Sequence, residues 1–183
     1  MPWWIILIVI IVLLVLYVIK IQNQLVMAEE TVNNSFSQIG VNQQSRFDAL
    51  TQLAKATGSY SEHERQTLLD VIGKRQSADS AEAIEKNEEL IKEVISKINV
   101  VVERYPELKA SELYSNTMNS INDYENKVRV SRMLYNDTIT KLNRIIKQFP
   151  SSVVASMLGY TQKEYLKVDE KKADMPDLDF KVK

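Results

Sequence analysis

The only imidazole in the chain, His63, stands between Glu62 and Glu64, and this step is the one place where residue types and spacing suggest acid–base or metal chemistry. The same residues also read as a helix start. Ser61 can accept a hydrogen bond from the backbone N–H of Glu64, the Glu64 side chain can reach back to Ser61, and carboxylates are favoured in a first helical turn. We take the capping reading. The residues that are missing exclude most other chemistries. With no Cys there is no disulfide framework, thiolate metal site or cysteine nucleophile. A di-iron bundle needs Glu-x-x-His from two helices, which one His cannot supply. A Ser/His/Asp triad would also have to use His63, and neither G-x-S-x-G nor a Gly-rich phosphate loop occurs. The 23 Lys+Arg and 24 Asp+Glu leave a net charge of −1, which does not draw in a polyanion. The expectation is a non-enzyme with no catalytic residues, no metal, no cofactor and no nucleic-acid partner.

The elements that carry these residues must be long. Only four Gly and four Pro occur in 183 residues, where average usage of the two together is roughly 12%. The chain therefore reads as all-α. From Trp3 to Ile19 it is apolar without a charge, amide, Gly or Pro. At 1.5 Å per residue that run covers roughly 26 Å, and its flanks extend it toward a hydrocarbon core of about 30 Å. Trp3 and Trp4 suit one interfacial belt, Tyr17 suits the other, and Lys20 can snorkel to headgroups. A cleaved signal peptide is the alternative, but no basic n-region precedes the run and no A-x-A-like site follows it. Residues 1–20 are read as an uncleaved transmembrane anchor in the lipid bilayer. Lys20 on the C-terminal flank favours an outside N-terminus and a cytoplasmic body.

Residues 21–160 read as a long antiparallel bundle of three or four helices into which the spanning helix continues. Leu25, Val32, Ile39, Leu53 and Tyr60 fall at spacings of seven, with Phe36, Leu50 and Thr57 at the companion position and Gln43 and Arg46 in the gaps. Gly58 ends that helix. A second carries Leu68, Val71 and Ile72 and reaches Ser77-Ala78-Asp79-Ser80, which could be a kink or a loop. Ile84, Ile91, Ile98 and Tyr105 then recur in sevens, and Pro106 marks a corner. From about Ser111 to Gln148, Tyr114, Ile121, Val128, Tyr135, Leu142 and Phe149 form an unbroken core seam. Ser151 or Ser152 can cap a short helix that Gly159 closes. Pairs such as Glu88-Lys92 and Glu93-Lys97 suit an exposed face. Residues 161–183 lose periodicity and gain charge, so they read as a mostly flexible tail, ordered only where Tyr165 or Leu166 docks.

Several of these blocks resemble the LemA family: Phe36 to Val41, Arg46 to Leu50, Gly58 to Glu64, Tyr105 to Ala110, Glu125-Asn126, Arg132, Tyr135-Asn136, Asn143, Phe149-Pro150 and Gly159-Tyr160. Phe36 stands where the family usually has Trp, Ser45 where it has a second basic residue, Thr51-Gln52 where it has Pro-Asn, Ser59 where it has Gly and Ser152 where it has Asn. Losing that Pro suggests a straighter first helix. The resemblance implies a bacterial inner-membrane protein with one N-terminal helix, a helical bundle on the cytoplasmic side and an envelope role, without naming a molecular activity.

Arg46 on the apolar stripe needs a partner if it is buried. The expectation is an internal polar layer in which Arg46 meets Glu125 or Asp48, with Arg132 seven residues beyond Glu125, fixing the register of the bundle. Three functional readings follow. The first is a non-catalytic scaffold or adaptor that presents a helix face to an envelope protein. The second is a bundle holding a ligand or metal near His63, Arg46 and Glu125. The third is self-assembly into a membrane lattice through the heptad seams.

Overall fold

The computed structural model describes residues 2–166, which contain six helices and no strand. The rest of the expected tail, 167–183, lies outside the described residues.

No helix breaker intervenes between Trp3 and Ile39, and Gly40 is carried within the helix, so α1 runs unbroken over Trp3–Thr57. Its 55 residues rise about 80 Å. It is long and apolar enough near its N-terminus to cross a membrane. Trp3, Trp4 and the apolar residues that follow are exposed, whereas Tyr17 is half-buried.

Gly58 ends α1, and Ser61 caps α2 (Glu62–Ile72) by accepting from Glu64 N–H at 3.3 Å. The reciprocal half of that cap differs from expectation. Ser61 N–H donates to Thr57 C=O at 2.8 Å, and the Glu64 carboxylate turns outward to accept from Arg104 at 2.5 Å. The stretch left open between kink and loop is a loop. Residues 73–80 leave the helix, and Ser80 caps α3 (Ala81–Arg104) by accepting from Ala83 N–H at 3.1 Å. Gly40 lets this loop lie close, since a Cβ there would stand 3.0 Å from the Cβ of Ala78. Tyr105-Pro106 turns the chain through a short α4 (Pro106–Lys109), and Ser111 caps α5 (Glu112–Lys147). The chain then forms α6 (Ser151–Met157) and an extended segment to Leu166.

The four longer helices run up, down, up and down. The core has three tiers along α1. Farthest from the apolar segment, Phe47, Leu50 and Leu53 pack with Leu68, Ile91, Ile98 and Ile121 from α2, α3 and α5. In the middle, Ile39, Ile84, Val128 and Leu166 meet. Nearest the apolar segment, Ile21, Leu25 and Val32 pack with Ile139, Leu142, Val154 and Ala155. Here α6 and the extended segment occupy the side that α2 and α3 cover farther along.

On the core seam, Ile121, Val128 and Leu142 are buried and Tyr135 is half-buried. Phe149, in contrast, is 79% exposed. α5 stops at Lys147 and Gln148 is extended, so the seven-residue register that would carry Phe149 inward no longer applies. Tyr60 is exposed for the same reason, lying beyond the end of α1, and its ring centroid is 6.1 Å from that of Tyr105. Neither Ser151 nor Ser152 caps α6. Ser151 instead donates to the carbonyls of Ile145 and Gln148 at 2.7 Å, tying α6 to the end of α5. Gly159, at φ +76°, closes α6 in a conformation that disfavours a Cβ.

The extended segment is held by two asparagines of α5. Asn143 donates to Lys163 C=O and accepts from its N–H, both at 2.9 Å, and Asn136 does the same with Leu166 at 3.0 Å. Seven helical residues rise about 10.5 Å and three extended residues about 10 Å, so the two spacings match. Leu166 is buried as expected, while Tyr165 stays exposed. Replacing Asn143 with Ala removes both bonds to Lys163, together worth about 2 kcal/mol, or roughly thirtyfold in local opening. Trypsin cleavage after Lys163, followed by mass spectrometry on the folded chain, should accelerate accordingly. An unchanged rate would show that Asn143 does not hold the segment.

Candidate functional site

The feature that most departs from an ordinary apolar bundle lies between the far and middle core tiers. Arg46 occupies a seam position of α1 and its side chain is only 4% exposed. Its Nη1 donates to Glu88 Oε2 of α3 at 3.1 Å and its Nη2 to Glu125 Oε2 of α5 at 3.0 Å. The side-chain exposure of Glu88 is 15% and that of Glu125 is 36%, so the layer opens to water on the α5 side. One turn earlier on α1, Gln43 donates to Glu88 Oε1 at 2.8 Å and to Ile84 C=O at 2.9 Å. On the same face of α3, Glu85 pairs with Arg132 of α5. Two carboxylates of α3 therefore tie its start to both α1 and α5.

The structure thus brings Arg46 to Glu125. Asp48, the other partner considered, points elsewhere and lies 3.8 Å from Arg75. Arg132 engages Glu85. Glu88 is the residue that sequence reasoning misplaced, since its spacing to Lys92 suggested an exposed pair. The available signal was its position on the apolar stripe of α3, four residues after Ile84 and three before Ile91.

Gln43 also borders a cleft of about 400 Å³ between α1 and the 73–80 loop, lined by Gly40, Gln44, Ser45, Gln76 and Asn87 among others. Its lining holds amides, hydroxyls and apolar groups, with no acid, base or cation. His63 lies at the opposite end of α2, is exposed and does not join Arg46 and Glu125. Each flanking carboxylate has a cation: Glu64 meets Arg104, and Glu62 accepts from Arg65 Nε at 2.7 Å. The Arg65 hydrogen bond holds the Glu62 carboxyl below its ordinary range, and the same bond raises Arg65. Among the described residues, no group of three or more His, Asp and Glu could hold a metal. Tyr135 packs against Phe36 with ring centroids 5.3 Å apart, and burial raises its phenol above the ordinary value.

At the apolar end, Trp3 and Trp4 project outward and Lys20 is exposed just past the last apolar residue. Tyr17 instead packs on the core tier containing Ile21, Leu25 and Ala155. One helix thus supplies both the membrane-length segment and the wall that carries Arg46.

The blocks that suggest a family at the level of sequence all lie on this scaffold, and the LemA family model matches residues 35–180 of the 183-residue chain. The chain belongs to the LemA family. No curated protein shows significant similarity to it. LemA is not known as a family of enzymes. Among the described residues, Gln43 Oε1 and Arg46 Nε are buried without a hydrogen-bond partner.

Replacing Arg46 with Met leaves Glu88 and Glu125 facing each other without their shared cation, and should lower stability by about 3 kcal/mol. Changing Glu88 and Glu125 to Gln as well should recover most of that loss. Denaturant unfolding of the full chain in detergent reads both variants. A single variant as stable as the parent would show that the layer is not buried in solution.

Proposed function

We propose that this LemA-family chain is a non-catalytic scaffold of the bacterial cell envelope. It sits in the inner membrane with its bundle in the cytoplasm, and it presents a helix face to an envelope protein or to a second copy of itself. The observation that carries this reading is the unbroken α1, in which an exposed apolar segment continues without a hinge into the wall of the bundle. A helix of that kind transmits position: whatever the far tier binds is held at a set height above the lipid. The polar groups in the bundle are arranged to bond one another, which suits a rigid support better than a reaction centre. The orientation rests on Lys20, whose charge on the C-terminal flank favours the cytoplasmic side for the body.

Proximity labelling from an enzyme fused after Lys183 tests the compartment and the partner together. The expected outcome is labelling of cytoplasmic proteins and of a small set of inner-membrane proteins. Exclusive labelling of extracytoplasmic proteins would reverse the orientation. Labelling dominated by the chain itself would favour self-assembly over an adaptor.

A further inference from the structure

α6 lies across the end of the bundle from which the apolar segment emerges. Val154 and Ala155 pack with Ile21 and Leu25, and Tyr17 and Tyr160 pack against the same tier. The α1 side of this tier, Tyr17 to Val32, spans about 22 Å of helical rise and contains Ile19, the last residue of the apolar run. α6 follows Lys147, the last residue of α5, so it lies at the end of the bundle nearest the apolar segment. The outer surface of this corner carries Phe149, Val153 and Met157, which are 79%, 52% and 78% exposed. Cations precede this strip in sequence on α5, and another lies on α1 at the end of the apolar run. Arg144 and Lys147 lie in the last turn of α5 and are exposed, as is Lys20.

An apolar strip flanked by cations, held beside the exit point of a spanning segment, has the composition of an in-plane interfacial element. We propose that the α5–α6 corner is a second membrane contact. Phe149, Val153 and Met157 insert into the headgroup–acyl boundary of an anionic bilayer, and Lys20, Arg144 and Lys147 face its lipid phosphates. The proposal rests on the anchoring read from α1, and the level of the corner is what favours lipid over a protein partner. Its consequence is mechanical. A single spanning helix leaves the bundle free to swing, whereas a second contact at the α6 corner fixes its tilt and the direction in which its far tier points.

The absence of native Cys makes the test direct. Full-length chains carrying one cysteine (Met157→Cys, Val12→Cys or Ser59→Cys) are labelled with an environment-sensitive fluorophore. They are then reconstituted into phosphatidylcholine–phosphatidylglycerol vesicles with lipids brominated on their acyl chains. Quenching is expected at position 157, at a depth of about 5–10 Å into the boundary, and at position 12, but not at position 59. Adding Phe149→Ser with Val153→Ser should lower the signal at 157. Adding Arg144→Glu with Lys147→Glu should lower the docked-to-undocked ratio about fivefold for each cation lost.

A probe at 157 as unquenched as the one at 59, with 12 quenched, overturns the second contact and leaves the anchor standing. An unquenched probe at 12 overturns the anchor and, with it, the second contact. A blue-shifted but unquenched probe at 157 assigns the face to protein and also overturns the proposal.

Discussion

A single ladder of backbone hydrogen bonds from Trp3 to Thr57 carries two surfaces that belong in different solvents. The first part of α1 is apolar all round and exposed, whereas from Ile21 onward most apolar residues fall on one buried stripe, with Val26, Met27 and Val41 outside it. The helix cannot satisfy both surfaces in water. A lipid bilayer on one side of Lys20 and the bundle on the other would relieve the conflict without breaking the helix. The rest of the chain is arranged around this constraint. α2, α3 and α5 cover the stripe far from the apolar segment, and α6 with the extended segment covers it near that segment.

Because the near half has fewer helices, it depends on other devices to stay closed. Asparagine side chains take the part that neighbouring strands play in a sheet, offering one donor and one acceptor to an extended backbone. Asn136 and Asn143 do so for the chain after α6, and Asn87 does so for Gln76 in the loop before α3 at 2.9 Å in both directions. Non-helical backbone is thus held against the bundle without leaving those peptide groups unpaired.

The Arg46 layer stands between two core tiers in which α1, α3 and α5 pack together. An apolar seam repeating every seven residues would tolerate a slip by one repeat with little loss of burial. A cation on α1 that must meet carboxylates on two other helices does not tolerate such a slip. Glu125, 36% exposed, keeps one side of the layer near water, which moderates the cost of burying the charge.

Helix content, the apolar segment, the corners at Gly58 and Pro106 and the three-part seam on α5 could all be read from local patterns. Each depends on spacing, breakers or capping residues that act within about one turn of their own position. The family could also be recognised there, because its blocks occur in order along the chain. What sequence could not decide was every choice between chemically equivalent partners. Arg46 is buried against Glu88 and Glu125, while Asp48, two residues on and turned to another face of α1, meets Arg75. The four-residue spacing of Glu88 and Lys92 suggests a surface pair, although Glu88 lies on the apolar stripe of α3. Phe149 kept the heptad spacing although the helix had ended, and the loop at 73–80 lies close over α1 only because Gly40 makes room for it. Periodicity reports which side of a helix faces inward, but the partner of a buried charge depends on how helices far apart in sequence rotate against one another, and that is settled only when the whole core packs.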